Sequence, residues 1–404
     1  MTTFRFRNGH IVTPDAVLTD ATLRIEGDRI ASIEADVDAD AASDAEAVDL
    51  DGGWIMPGFI DTQVNGGGGV LFNDATTVEG IAAIGAAHAP FGTTAFMVTL
   101  ISDTPDVIAR ALDAVDAAID AGVPGLVGIH VEGPVISAAR KGIHDPTRFQ
   151  DLDDELLALL TRPRRGKVML TLAPERVTAA QIAALTAAGV LVSIGHSDAS
   201  YDVAATAIAA GITGITHLFN AMSPLVHRAP GVVGAAIDDQ GVYCGIIVDG
   251  FHVDDAALRI ALRARPHDRF MLVSDAMPCV GAVDKAFMLQ GREIRVEGGR
   301  CVGADGTLAG SDLDMAGAVR NSVERLALPP EKAAAMAATY PAAFLGLERD
   351  RGALAPGLRA DWVRLTRELQ PAGTLDRRHR LRLIRRLHCT RTRKPRTTIW
   401  LPSS

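Results

Sequence analysis

Ionisable and amide side chains recur at the ends of short apolar runs. Asp61, Gln63 and Asn65 lie in FIDTQVN, Glu132 in GLVGIHVEG, His196 in VLVSIGHS, His217 in ITGITHLFNA, His252 just past VYCGIIVDG, and Asp275 in RFMLVSDAM. In a barrel of parallel strands the carboxyl ends share one face, so residues distant in sequence converge there. Glu132, His196 and His217 together offer one carboxylate and two imidazoles, a donor set suited to zinc or another divalent ion with one position open for water. An ion so held lowers the pKa of its water from about 15.7 to near 7 and polarises an acyl oxygen. A carboxylate must then take the water proton and pass it to the leaving group, and Asp275 is placed for both steps. The chemistry implied is metal-dependent hydrolysis of a C–N or C–O bond.

Each residue alone has a plainer explanation. A strand-end histidine is usually just hydrogen-bonded, Glu132 could cap the next helix, and Asp275 could shape the turn before Pro278. The joint pattern, rather than any member of it, carries the reading. His130 should point to the same side of its strand as Glu132, either supporting the site or simply packed. The run Gly66 to Gly69 has no accompanying phosphate-binding lysine and reads as a flexible strand-to-helix turn. His227 reads as structural.

The elements that must position these residues are legible as alternation. The apolar runs are FIDTQVN, TTAFMVTL, GLVGIHVEG, KVMLTLAPE, VLVSIGHS, ITGITHLFNA, VYCGIIVDG and RFMLVSDAM, each followed by an Ala-rich helical stretch. Eight such units close a (β/α)₈ barrel, an α/β fold of about 250 residues. With 404 residues the chain has room for a second module. Residues 1–55 alternate polar and apolar between Gly and Asp turns, as strands and hairpins do. The expected layout is a small β-sandwich module begun by 1–55, the barrel over 56–345, and a return into the module over 346–363. The stretch from Ala35 to Ala47 reads as a solvated loop. A further β-like patch follows Pro278, then two helical stretches from Asp314 to about Leu345.

Composition bounds the rest. With 48% hydrophobic and 22% charged residues the chain suits a soluble globular protein. No apolar run approaches the roughly 18 residues of a membrane helix, and the start lacks a secretory plan, so a cytoplasmic location and no membrane partner are expected. A net charge of −9 argues against nucleic acid as a partner of the barrel. Cys244, Cys279, Cys301 and Cys389 lack the spacing of a thiolate metal site and read as small buried hydrophobes.

The segments MPGFIDTQVNGGGG, GIHVEGP, KGIHDP, LAPE, GHSDAS, THLFNAMSP, DGFHVD and VSDAMP, in this order, resemble the N-acetylglucosamine-6-phosphate deacetylases of the amidohydrolase superfamily. The resemblance runs from the first residues to about Trp362. It implies release of acetate from N-acetyl-D-glucosamine 6-phosphate, giving D-glucosamine 6-phosphate in amino-sugar catabolism. It places the metal ligands on Glu132, His196 and His217 and the proton-transferring aspartate on Asp275. It places substrate contacts on Asn220, Ala221, Arg228 and His252, on Ile143 and His144 of KGIH near the acetamido group, and on Leu308, Ala309 and Gly310 of TLAG. Arg228 and His252 can supply positive or donor groups to a phosphate. The resemblance also implies a homodimer with such phosphate contacts at or across the subunit interface.

Relatives in this superfamily often carry His-x-His after the first strand, which makes a second metal position. Here the place reads Gln63-Val64-Asn65, and amides are poor ligands, so one tightly held divalent ion is expected, zinc before others. The alternatives are a deacetylase of the galactosamine epimer, another amidohydrolase acting on an amide, or a non-catalytic scaffold; the last predicts loss of the ligands or of Asp275, and all four are present. Residues 364–404 depart from the resemblance. Their arginine-rich composition is expected to be a disordered or solvated extension, or the product of a reading frame shifted after about Arg364.

Overall fold

The computed structural model describes residues 2–35, 46–375 and 382–383. Its centre is a parallel sheet of eight strands: β1 (Phe59–Val64), β2 (Thr93–Ile101), β3 (Leu126–Glu132), β4 (Lys167–Leu172), β5 (Leu191–Ile194), β6 (Gly214–Ile215), β7 (Tyr243–Ile246) and β8 (Phe270–Leu272), each laddered to the next in chain order. The sheet curls into a nearly closed (β/α)₈ barrel, as the alternation of apolar runs and Ala-rich stretches demands. A helix follows every strand, from Val78–His88 after β1 to Met315–Leu326 after β8. The helix Pro105–Asp120 shows why: Ile108, Ala111, Leu112, Val115 and Ala118 recur at helical spacing and are buried, and Pro105 starts the first turn where no amide donor is needed. Thr178 and Gln181 form a reciprocal capping box at the start of Ala179–Ala187.

The strands in the second half of the barrel are shorter than their apolar runs. β6 is only Gly214–Ile215, so His217 lies beyond the strand rather than in it. The backbone turns to positive φ immediately past these short strands, at His196 (48°), His217 (34°) and Asp275 (52°). Non-glycine residues are strained there, by about 1–3 kcal/mol each, and such strain concentrates at functional sites. The barrel packing supplies what holds them so.

The N-terminal and C-terminal segments meet in a two-sheet module. One sheet orders Arg29–Ala35, Ala21–Glu26, Thr2–Arg7 and Glu46–Asp49; the other orders Val17–Leu18, His10–Val12, Trp54–Pro57, Trp362–Leu365, Pro371–Leu375 and Arg382–Leu383. The strands therefore run past the return expected to end at 363. Pro371–Leu375 pairs antiparallel with Trp362–Leu365, and Arg382–Leu383 pairs with it in turn. The rest of the arginine-rich stretch, with Cys389, lies outside the described residues, as does most of the Ala35 to Ala47 loop. Between the sheets Trp362 stands edge-on to Phe4 and Phe6, with ring centroids 5.7 and 5.4 Å apart.

Past β8 the chain forms an antiparallel lobe, Ala286–Leu289, Arg292–Glu297, Arg300–Gly303 and Leu308–Ser311, which folds over the carboxyl end of the barrel. Three helices follow where two were expected. Ala338, at φ −135° and ψ −60°, breaks the run between Pro330–Ala337 and Thr339–Phe344. No helix among the described residues is long and apolar enough to cross a membrane.

Candidate active site

At the carboxyl end of the barrel Glu132, His196 and His217 converge, all buried. Glu132 Oε1 stands 3.3 Å from His196 Nε2 and 3.0 Å from His217 Nε2, and the two Nε2 atoms are 3.1 Å apart. Ligand atoms bound tetrahedrally at about 2.0–2.2 Å stand about 3.4 Å from one another, so the spacing fits a divalent ion. His196 Nδ1 is turned to the Arg140 carbonyl at 2.9 Å. Donating there fixes the tautomer that leaves Nε2 with its lone pair toward the other donors. The group could therefore hold a divalent metal.

Charge within the group is shared. Burial alone would push the Glu132 carboxyl up and the His217 imidazole down, but their hydrogen bond and mutual charge, with His196 added on the Glu132 side, reverse both shifts. Glu132 is held well below the usual carboxylate range, and His217 is raised.

Asp275 faces the same cavity. Asn65 Nδ2 donates to its Oδ1 at 2.7 Å, and Gln63 Nε2 donates to that oxygen at 3.1 Å and to Glu132 Oε1 at 3.2 Å. Gln63 and Asn65 thus use their amide N–H groups on the two carboxylates. Burial, then the Glu132 charge, raises the Asp275 carboxyl to about 6, against the opposing pull of His217, His252 and the Asn65 hydrogen bond.

The cavity, of about 380 Å³, is of a size for a small substrate. Ile143, His144, Asn220, Ala221, His252 and Leu308 line it together with Gly310. Gly310 takes φ +58°, and a Cβ there would stand 2.5 Å from Met277 Cγ and 2.8 Å from the Asp275 carbonyl oxygen, so only glycine lets the lobe lie this close to Asp275. His252 Nδ1 is held 2.6 Å from Asp249 Oδ2.

Two of the expected contacts are not among the residues that line this cavity. Ala309 is buried with Cys279, Leu289 and Ile294 in the core of the lobe. Arg228 is exposed, on a loop with Leu225, Val226 and His227 that does not line the cavity. His130 lies beneath the donor group, Nδ1 3.2 Å from Thr99 Oγ1 and Nε2 2.7 Å from Thr171 Oγ1. Burial lowers its imidazole to about 4, so it is neutral. Gly66 and Gly67 pair with Val70 and Leu71 in a short hairpin. Cys244, Cys279 and Cys301 are buried.

Other partners gave no readable signal in the sequence. Ser102 holds His144: its N–H donates to Nδ1 at 3.4 Å and its Oγ lies 2.8 Å from the same nitrogen. Gln290 reaches from the lobe to the barrel rim, donating to the Ser102 carbonyl at 2.9 Å and accepting from the Asp145 N–H at 3.2 Å. Such side chain to backbone contacts depend on loop paths that no local pattern encodes.

The model of the amidohydrolase family matches residues 54–377. The chain is 40% identical to the N-acetylgalactosamine-6-phosphate deacetylase of Shewanella sp. (strain ANA-3), over 87% of this chain and 89% of the relative. It is 34% identical to the N-acetylglucosamine-6-phosphate deacetylase of Haemophilus influenzae, over 90% of this chain and 96% of the relative. The crystal structure of N-acetylglucosamine-6-phosphate deacetylase from Pasteurella multocida superposes with a TM-score of 0.88 at 33% identity, covering 93% of this chain and 98% of that one.

Proposed function

The chain belongs to the amidohydrolase family, and on that premise we propose that it hydrolyses the amide of N-acetyl-D-glucosamine 6-phosphate, giving D-glucosamine 6-phosphate and acetate in cytoplasmic amino-sugar catabolism. The observation that carries the reading is the convergence of Glu132, His196 and His217 with Asp275 on one cavity, in a chain similar along most of its length to enzymes named for this class of reaction.

Glu132, His196 and His217 would hold one divalent ion, zinc being the ion proposed for a carboxylate and two imidazoles. When bound, such an ion acidifies a water molecule and polarises an acyl oxygen. Asp275 accepts the proton of the attacking water and delivers it to the amide nitrogen as the C–N bond breaks, which turns a poor amide leaving group into an amine. Gln63 and Asn65 orient that carboxylate. His144, driven down to about 3 by burial and then by the His196 charge, is neutral. Because its Nδ1 accepts from the Ser102 N–H, its Nε2 carries the hydrogen, and we assign that N–H to the acyl oxygen of the acetamido group. Asn220 and the backbone at Ala221, Leu308 and Gly310 hold the sugar. His252 takes the phosphate together with Arg228, which the exposed loop would present across a homodimer interface.

A second reading, the galactosamine epimer as preferred substrate, is favoured by the 40% identity to the Shewanella enzyme. One assay separates them: acetate release from N-acetylglucosamine 6-phosphate, the unphosphorylated sugar and the galactosamine epimer, with and without chelator. Release from the glucosamine phosphate, abolished by chelator, is the expected result; none from any substrate by folded, metal-replete protein would overturn the assignment.

A further inference from the structure

We propose that Asp61, which belongs neither to the donor group nor to the cavity lining, is the positioning residue that keeps Asp275 aligned with Gln63 and Asn65 by fastening the seam between β1 and β8. The inference rests on the reading of Asp275 as the proton carrier.

Every other pair of neighbouring barrel strands is joined by a ladder, but among the described residues β1 and β8 share none. What joins them near the rim is an isolated parallel bridge between Val64 and Ala276, with the Asn65 and Gly66 N–H groups donating to the Ala276 carbonyl at 2.9 and 3.1 Å. Deeper in, the Asp61 side chain spans the seam. Asp61 is fully buried; its Oδ1 accepts from the N–H of Gln63 and the N–H of Ser274, each at 3.2 Å, and its Oδ2 accepts from the Ser274 hydroxyl. Ser274 Oγ in turn accepts from the Ala276 N–H at 3.1 Å.

The carboxylate therefore grips the backbone at the residue before Asp275 and, through Ser274, at the residue after it. On the other strand it grips the backbone of Gln63, whose side chain reaches both Glu132 and Asp275. Asp275 sits at φ +52°, a conformation that needs its neighbours fixed. A shift of this seam moves Asp275 against both of its amide partners at once, and a displacement of about 1 Å at a reacting group can cost about a hundredfold in rate.

The residue type follows from the partners. All three contacts are donors, and the ionised carboxylate, the form present in assays run above about pH 7, is acceptor-only with two oxygens to offer. An asparagine could keep the two N–H contacts through its oxygen, and its amide could donate to Ser274 Oγ once that hydroxyl turns to the Gln63 carbonyl, 3.3 Å away. An alanine keeps none of them.

The test uses the metal-replete full chain as Asp61→Ala, Asp61→Asn and Ser274→Ala, with steady-state acetate release, metal stoichiometry and melting temperature measured for each. In Asp61→Ala kcat should fall roughly 10- to 100-fold, with KM and metal content near the parent values. Asp61→Asn should recover to within about fivefold of the parent, and Ser274→Ala, which loses only the hydroxyl, should fall between them. A folded, metal-loaded Asp61→Ala protein with parental kcat overturns the proposal, as does a loss that asparagine fails to rescue while matching the parent in melting temperature. If Asp61→Ala does not fold, Ser274→Ala decides, and an unchanged kcat there overturns it. A parent chain that releases no acetate would instead refute the proposed function. The positioning claim would then be judged by the crystal structure of Ser274→Ala, where an Asp275 carboxylate still bonded to Asn65 and Gln63 as in the parent overturns it.

Discussion

Asn65 donates its side-chain amide to Asp275 Oδ1 across 2.7 Å, the shorter of the two amide contacts to that oxygen. Both Gln63 and Asn65 choose Oδ1, so the other oxygen of the carboxylate is the one left to exchange protons in the role proposed for it. The resemblance drawn from the sequence expects imidazoles at these two positions wherever a second metal is held. An amide N–H stabilises a carboxylate beside the group that could hold one ion, while offering no strong ligand to a second.

Asp275→Asn should keep the divalent ion and the fold but lose turnover by about 10²–10⁴-fold, because an amide cannot accept the water proton. Acetate-release kinetics set beside metal stoichiometry of the same preparation checks this. Near-normal turnover in a metal-loaded variant would show that another group moves the proton.

Purified protein should hold one tightly bound divalent ion per chain. Chelation should abolish acetate release and lower the melting temperature, since a ligand that binds only the folded state at a hundredfold excess over its Kd contributes about 2.7 kcal/mol. Elemental analysis showing two tightly held ions per chain, both needed for activity, would contradict the role given to Gln63 and Asn65.

The eight strands were legible because apolar runs alternate with Ala-rich helical stretches, and the residues at or just past four of those strands are Glu132, His196, His217 and Asp275. The short extents of β5 to β8 were not, since a continuous apolar run does not say where its ladder stops. Without the structure, the left-handed turns at His196, His217 and Asp275 have no signature: glycine would advertise such a turn, whereas histidine and aspartate conceal it. The partners that fix the site, the Arg140 carbonyl behind His196 and Ser102 behind His144, come from loops whose paths are tertiary. The strand Pro371–Leu375 was hidden for another reason. It lies where the composition turns toward arginine, and its pairing partner Trp362–Leu365, rather than its own alternation, recruits it to the sheet.

Asp350 should matter to the module and not to the chemistry. Arg359 Nε and Arg29 Nη2 reach its carboxylate at 2.7 and 2.8 Å, joining the segment before Trp362 to the N-terminal sheet. Burial opposes ionisation, but these guanidiniums win and hold the carboxyl down at about 2. Its contribution is therefore present above the ordinary carboxylate pKa and fades as pH falls toward 2. With the group partly exposed and screened, Asp350→Asn should cost roughly 1–2 kcal/mol at neutral pH, with kcat/KM unchanged. Chemical denaturation at pH 7 and pH 3 should show the gap to the parent narrowing at the lower pH; an equal gap at both would mean the loss is packing rather than charge.

Asp61 should give the opposite pH trend. Burial raises its carboxyl to about 7, against the hydrogen bonds from Ser274 and Gln63 that pull it down. Between the unfolded carboxylate pKa and about 7 the folded chain keeps a proton that the unfolded chain has released, so each step up in pH favours unfolding; above that window both states are ionised and the trend ends. Asparagine has no proton to lose, and every other titrating group is common to both proteins. The stability of the metal-free parent relative to metal-free Asp61→Asn should thus decline from about pH 4 to about pH 7 and then level. Thermal melts of the two chelated proteins across that range measure the difference directly. A difference that stays flat, or rises with pH, would mean that the three donors around Asp61 outweigh its burial and that the carboxylate is ionised throughout.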